Sequence, residues 1–445
     1  MKKFTFTIIC TLLFLLLISN TGFAQRLLEC SLPKFGQISL EVDLELNGTG
    51  QNIDSIEFWK SPYSSETLMF VTAKGNNLVE VWEYPFEGNQ ISSLMHNTFQ
   101  NSPVNGVTVD QNKNLLYVSI GNPSSTVSVF SLPDLNFLFN FNRAGANYHT
   151  EPNLALLTLN ESNKKIYVSA DSAVDIHNPE TGEFLQTFTT LKALETMATD
   201  NFYQRIYIPD ENDRTGVYLY NPDGTPLFLN GSNVFGETVF DADAEGIIIY
   251  TFPTNSPVDS GFGFIVVSDQ KADVTDFEFF DRITLEHLGT LNIIGVSNTD
   301  GIASYPYPLT NYPYGIFAVI NNDQTVVIVG WDSIFNQISN ITGNKEINFY
   351  PPNYQLYQNY PNPFNPKTTI RYSIPNFIFS GVEESLVQLK VYDVLGNEIV
   401  TLFDELIPAG RYEVDFNASS LASGTYYYKI RSNDFVQTKK MLLIK

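Results

Sequence analysis

Six residues bearing side-chain oxygen recur along the first two thirds of the chain at nearly regular spacing. Asp54, Asn105, Asn153, Glu195, Glu245 and Asp300 are separated by 51, 48, 42, 50 and 55 residues. Each stands just before a short apolar run, such as Ile56-Glu57-Phe58-Trp59 after Asp54 or Gly301-Ile302-Ala303 after Asp300. Four carboxylates and two amides gathered in one place would repel strongly unless a cation neutralised them. Hard oxygen donors without Cys or His select Ca2+ or Mg2+ rather than zinc. The alternative is that each residue caps the turn entering its strand, a common use of Asp and Asn. At any single position the cap is the stronger reading; for the whole register, a metal site is.

Other chemistries have no footing. His96, His149, His177 and His287 are scattered without metal spacing and read as surface residues. Neither a Ser–His–Asp nor a Cys–His arrangement has a local signature, and Gly-rich phosphate loops are missing. A net charge of −23 on 445 residues repels a polyanion, which excludes nucleic acid as a partner.

The elements that must position the six residues form a repeat. Between about Leu32 and Pro351 an apolar strand, a polar turn and two further strands recur. The second-strand cores are Met69-Phe70-Val71, Leu116-Tyr117-Val118, Ile166-Tyr167-Val168, Ile206-Tyr207-Ile208, Ile265-Val266-Val267 and Ile316-Phe317-Ala318. Their mean spacing, about 49 residues, lies within the ~40–50 residues of propeller blades. Asn-Pro-x-x-Gly turns such as Asn178-Pro179-Glu180-Thr181-Gly182 suit the hairpins. No long helical periodicity interrupts them. The expected fold is all-β: a six-bladed β-propeller over residues 25–350 and a small Ig-like β-sandwich over 351–445. In a propeller the first strand of each blade lines the channel, so residues entering those strands at one end converge on the axis.

The ends of the chain speak to compartment. Lys2-Lys3, an apolar run from about Ile8 to Ile18 and Gly22-Phe23-Ala24 read as a signal peptide over residues 1–24. The apolar run is shorter than the ~20 residues a spanning helix needs, so no transmembrane span is expected in the mature chain. Cys10 leaves with the signal and Cys30 stands alone, which excludes an intramolecular disulfide and a zinc cluster of cysteines. Near the other end, Tyr360-Pro361-Asn362-Pro363-Phe364-Asn365-Pro366 precedes period-2 runs such as Val387-Gln388-Leu389-Lys390-Val391-Tyr392. Asp393-Val394-Leu395-Gly396, Ser423-Gly424-Thr425-Tyr426 and a terminal Lys439-Lys440-Met441-Leu442-Leu443-Ile444-Lys445 follow. This stretch closely resembles the type A C-terminal sorting domain of the type IX secretion system. The resemblance implies that the secretion machinery is a partner and that the chain is secreted or held at the cell surface.

The repeat region resembles the β-propeller phytases, calcium-dependent enzymes that hydrolyse phosphomonoesters of inositol phosphate. The resemblance rests on Leu194-Glu195-Thr196-Met197-Ala198-Thr199-Asp200, Arg205-Ile206-Tyr207-Ile208-Pro209-Asp210-Glu211 and Asp243-Ala244-Glu245-Gly246. Ser268-Asp269-Gln270, Asn298-Thr299-Asp300-Gly301 and Trp331-Asp332-Ser333 extend it, with Asp54 and Thr72-Ala73-Lys74-Gly75 in the first half. Carried over by position, it implies that Asp54, Glu195, Glu211, Asp243, Glu245, Gln270 and Asp300 ligate Ca2+ and water. Glu195, Glu211 and Asp300 would be catalytic, and Lys74 would hold a substrate phosphate. Calcium would neutralise phosphate oxygens and acidify a water that attacks phosphorus directly.

Departures from the family fall on the phosphate side. Asn122-Pro123 stands where the family has an Arg, Asp171 where it has a Lys, and Ala155-Leu156-Leu157 where it has a Tyr. The acid-rich loop before Asp300 is shortened to Ile294-Gly295-Val296-Ser297. Two readings follow. One is a secreted calcium-dependent phosphomonoesterase acting on inositol phosphate or a related phosphoester. The other is a non-catalytic, calcium-stabilised propeller that binds a ligand or partner at the cell surface.

Overall fold

Apolar runs bounded by Asn, Asp and Gly turns satisfy their backbone groups and bury their side chains by pairing as strands and stacking as sheets. A computed structural model of the chain shows where they do so. It describes residues 17–18, 24–27, 32, 34–86, 92–144, 151–160, 163–170, 173–190, 194, 196–210, 216–229, 231–252, 261, 263–342, 354–374, 385–407, 410–432 and 435–445. The chain divides into two compact units: Pro33–Thr251 with Gly261–Lys345, and Met1–Leu32 with Phe252–Ser260 and Glu346–Lys445.

The larger unit holds six sheets, among the described residues, built in chain order. The first comprises Ile53–Lys60, Thr67–Ala73, Leu78–Glu83 and Ser92–Leu94, and the second Val104–Asp110, Leu115–Ile120, Thr126–Ser131 and Phe137–Phe141. Leu154–Asn160, Asn163–Ala170, Ala173–His177 and Phe184–Thr189 make the third; Ala198–Asp200, Arg205–Pro209, Val217–Tyr220 and Val234–Phe235 make the fourth. The fifth is Asp243–Thr251, Gly263–Gln270, Asp276–Asp281 and His287–Ile293, with Gly36–Leu40 added in parallel along its outer edge. The sixth has Ile302–Tyr305, Ile316–Asn321 and Thr325–Gly330, and takes its fourth strand, Leu44–Leu46, from the start of the unit. The first strand of each sheet touches the first strand of the next, and Ile302–Tyr305 touches Ile53–Lys60. The first strands therefore close a ring, the arrangement of a β-propeller.

The six second-strand runs form the most deeply buried part of these sheets. Met69-Phe70-Val71, Ile166-Tyr167-Val168 and Ile265-Val266-Val267 are wholly inaccessible to solvent. Each large side chain so buried contributes roughly 1.5–3 kcal/mol. Polar links bind neighbouring sheets as well. Lys164 donates to Asp110 at 2.7 Å between the third and second sheets. Arg282 donates to both Asp200 oxygens, at 2.7 and 2.6 Å, between the fifth and fourth. Tyr167 Oη reaches the Pro222 carbonyl at 2.9 Å.

One element departs from the expectation of an unbroken β pattern. Trp331–Thr342 is an α-helix with Asp332 in its first turn, where a carboxylate suits the helix dipole. Trp331, Ile334, Phe335 and Ile338 make a buried face at helical spacing. Trp331 Nε1 donates to the Ile316 carbonyl at 3.0 Å, and its ring lies 3.9 Å from that of Tyr250. A window this short, coming straight after the strand Thr325–Gly330, carries little periodicity to read. His177 also departs from its surface assignment: it is fully buried, with Nδ1 3.0 Å from the Gly182 carbonyl. Its strand, Ala173–His177, is an inner strand of the third sheet, covered on both faces.

The smaller unit is a β-sandwich. One sheet contains Glu398–Ile407, Ser385–Tyr392, Gly424–Ser432 and Phe435–Leu443. The other contains Gly410–Asn417, Lys367–Ile374, Gln355–Leu356 and, from the N-terminal segment, Ala24–Leu27 and Leu17–Ile18. Tyr372, Leu389, Val414, Tyr428 and Met441 fill the space between them. The Pro-rich opening is part of this core. Phe364 is buried, its N–H donates to the Leu442 carbonyl at 3.0 Å, and Asn362 Oδ1 accepts from the Leu442 N–H at 2.9 Å. Most of the expected signal peptide lies outside the described residues.

Candidate functional site

Antiparallel pairing puts the start of each first strand beside the end of the second strand, so two sets of residues meet at one end of the ring. The first set comprises the oxygen-bearing residues that recur in the sequence. Asn153 caps the entry to its strand, its Oδ1 accepting from the Leu154 N–H at 2.7 Å, but three others stand differently. Asp54, Asn105 and Glu245 lie inside their strands, where the ladder register shifts between Ile53 and Ile56, next to Asn105-Gly106, and between Ala244 and Ile247. A bulge inserts an extra residue and re-aims a side chain that a regular strand would send elsewhere.

Hydroxyls on the second strands hold these irregular stretches. Ser55 N–H donates to Thr72 Oγ1 at 2.9 Å, Gly106 N–H to Ser119 Oγ at 2.8 Å, and Gly246 N–H to Ser268 Oγ at 2.7 Å. In the third sheet Asn153 N–H donates to Ser169 Oγ at 2.6 Å. Glycine beside the oxygen-bearing residue lets neighbouring first strands close up. A Cβ on Gly301 would lie 2.0 Å from the Asp54 carbonyl oxygen, and one on Gly246 would lie 2.7 Å from that of Asp300. These approaches bring Asp54, Glu245 and Asp300 into one neighbourhood.

At the centre is Lys74, on the short turn that ends the second strand of the first sheet. Its ammonium lies 2.8 Å from Asp54 Oδ1 and 3.0 Å from Glu151 Oε1. Burial works against its charge, but Asp54 and then Glu151 outweigh that and hold the ammonium well above its ordinary range. Asn105 Nδ2 donates to the other Asp54 oxygen at 3.4 Å. On the opposite flank Gln270 Nε2 donates to Asp300 Oδ1. The Asp300 carboxyl is pushed up to about 7, first by burial and then by the Asp54 and Asp323 charges. Burial also raises Asp323, which hydrogen-bonds to Asp300. Two buried oxygens, Asp323 Oδ1 and Asn105 Oδ1, have no hydrogen-bond partner among the described residues.

Of the residues singled out in the sequence, Asp54, Lys74, Gln270 and Asp300 therefore meet through direct contacts or charge. Asp243 pairs in register with Gln270 at the end of the fifth sheet, and buried Glu245 sits on its bulge. Glu195, Glu211 and Asp171 lie outside the described residues. Glu151 and Asp323 were missed. Asp323 follows the second strand of the sixth sheet as Lys74 follows that of the first, and that second recurrence would have found it. Glu151 offers a weaker signal, standing two residues before Asn153.

A second acidic group has a different character. Carboxylate oxygens of Asp269, Asp276 and Glu278 lie within 4.8 Å of one another. Lys271 Nζ reaches Asp269 at 3.1 Å and Asp276 at 2.5 Å, while His287 Nε2 lies 2.6 Å from Glu278. Asp269 also accepts the Asp241 and Ala242 N–H groups, at 3.1 and 2.7 Å, fixing the loop that leads to Asp243. Asp269 and Asp276 already share the Lys271 ammonium, and all three carboxylates are hydrogen-bonded by the protein.

Two family models match the chain: one described as phytase over residues 65–348, the other as a secretion system C-terminal sorting domain over residues 358–445. Among solved structures, the chain is similar to one titled "Crystal Structure of Mitotic Checkpoint Complex", at 12% identity and a TM-score of 0.43, covering 64% of this chain and 93% of that one. It is also similar to the Neurospora crassa Pan2 WD40 domain, at 11% identity and a TM-score of 0.39, covering 61% and 73%.

Proposed function

The chain belongs to the phytase family, and on that premise we propose that it is a calcium-dependent phosphomonoesterase acting on inositol phosphate or a related phosphoester. Its C-terminal sorting domain directs export by type IX secretion to the cell surface or extracellular space. The observation that supports the activity is the convergence of Asp54, Asp300, Asp323 and Glu151 around the Lys74 ammonium.

This donor set fits a hard divalent cation. The ligand atoms on offer are carboxylate and amide oxygens, crowding keeps Asp300 reluctant to ionise, and unpartnered buried oxygens stand beside them on Asn105, against Asp54, and on Asp323, against Asp300. Asp54, Asp243, Glu245, Gln270 and Asp300 would hold Ca2+, joined by Glu195 and Glu211. When bound, Ca2+ supplies positive charge toward phosphate oxygens and acidifies water. Lys74 would orient a phosphate oxygen as a point charge with three donors. Gln270 fixes the Asp300 carboxyl through its amide. Asp300, Glu195 and Glu211 would manage the protons of the attacking water. Such a direct displacement needs no covalent intermediate.

A second reading has its own support, because the Lys74 ammonium is already engaged by two carboxylates. A calcium-stabilised propeller that binds without turnover is compatible with that pairing. Phosphate release from phytate by the full chain, in millimolar Ca2+ and again in EGTA, separates the two. The enzyme should release phosphate only with calcium, and Lys74→Met should cut the rate about 100-fold. No release from phytate or from p-nitrophenyl phosphate, by a protein that calcium still stabilises, would leave the binding module.

A further inference from the structure

Glu151 has no part in the metal set, yet it reaches Lys74, the one cation of the cluster among the described residues. It precedes the first strand of the third sheet, whereas Lys74 and Asp54 belong to the first. The two contacts on Lys74 differ in exposure. The Asp54 side chain is 12% exposed and the Lys74 side chain 9%, but that of Glu151 is 32% exposed. Asp54 is further tied by Asn105 Nδ2 at 3.4 Å and Ser55 Oγ at 3.3 Å. Parting Lys74 from Asp54 would strand two charges with little access to water, which is costly. Parting it from Glu151 moves a carboxylate that already has access to water, which costs less. An incoming anion can therefore take the Glu151 place on Lys74 and leave the Asp54 contact intact.

We propose that Glu151 is a specificity-determining residue, an internal competitor whose carboxylate occupies Lys74 until a ligand phosphate displaces it. The proposal rests on the reading that phosphate binds at Lys74. Its consequence is discrimination by charge. A phosphoester whose negative charge is weak or diffuse exchanges poorly against a carboxylate already in contact, while a compact dianionic phosphate exchanges well. Glu151 thus raises the charge threshold for entry at Lys74.

The test is calorimetric titration of inorganic phosphate into the full chain in millimolar Ca2+, which reads binding without turnover. Glu151→Gln keeps the shape and removes the competing charge, and should tighten phosphate binding about three- to tenfold. Glu151→Asp keeps the charge and should stay close to the parent. In the Lys74→Met background, Glu151→Gln should change binding by much less than it does beside Lys74. Phosphate binding equal in the parent and in Glu151→Gln would overturn the role of Glu151 while leaving the phosphate site standing. Equal tightening by Glu151→Asp and Glu151→Gln would overturn it too, since the charge would then not be the cause. No binding to either parent or Glu151→Gln would overturn the phosphate reading itself.

Discussion

A carboxyl in the wall of the propeller shows how far single residues here are governed by their surroundings. Glu57 lies midway along Ile53–Lys60, with Oε1 accepting from the Phe58 N–H at 2.8 Å. Burial pushes its carboxyl up from 4.5 to about 7, against the smaller opposing effect of that hydrogen bond. Between those values the folded chain keeps a proton that the unfolded chain has released. Stability therefore falls as pH rises through the window; the penalty is complete above about 7 and absent below about 4.5. Glu57→Gln keeps the acceptor and abolishes the titration. Its melting temperature should exceed that of the parent at pH 8 by roughly 2–8 °C, with the gap closing near pH 4.5. A gap of equal size at both pH values would assign the effect to packing. The sequence could not disclose this residue, since Glu57 stands in Ile56-Glu57-Phe58 with the look of an ordinary alternating strand. Asp54, Asn105 and Asp300 could be grouped from the sequence because a repeat announces equivalence without needing distances. Glu151 and Lys74, 77 positions apart, become neighbours only when the ring closes.

Elements explain why the repeated residues are accompanied by Gly and by Ser or Thr. The pairs Asn105-Gly106, Glu245-Gly246 and Asp300-Gly301 were visible as strand entries, but their reason is close approach between sheets. Likewise Val71-Thr72, Val118-Ser119, Val168-Ser169 and Val267-Ser268 look like strand ends, and are hydroxyls holding the backbone of the facing first strand. Gly301→Ala is the sharpest probe, because its Cβ would meet backbone that cannot step aside. It should lower stability by about 3 kcal/mol and weaken calcium binding by displacing Asp54. Gly424→Ala, with nothing within 4 Å of the new Cβ, should stay within about 0.5 kcal/mol of the parent. Urea midpoints read both. Equal midpoints for the two variants would mean that the first and sixth sheets can separate at Asp54 without cost.

At the scale of the molecule, repeat spacing and turn chemistry announced the β architecture, whereas closure was hidden. The strand that completes the sixth sheet, Leu44–Leu46, comes from the opposite end of the unit, and no local pattern marks it. Closure joins the first strand of the sixth sheet to that of the first, so Asp300 and Asp54 crowd each other only in the finished ring. A cation would ease that crowding, so on the proposed reading calcium would bind the folded state alone. A ligand at 100 times its dissociation constant adds about 2.7 kcal/mol to such a state. The sandwich, by contrast, draws its stability from an apolar core in which Phe364 and Tyr372 are buried. Calorimetry of the full chain in Ca2+ and then in EGTA should therefore show a calcium-dependent transition, displaced by about 5 °C or more, beside one that does not move. Phe364→Ala should lower the second by about 3–5 kcal/mol and leave the calcium response of the first unchanged. A profile indifferent to EGTA would remove the cation from the centre of the ring, and the carboxylates would then owe their coexistence to Lys74 and to the proton held by Asp300.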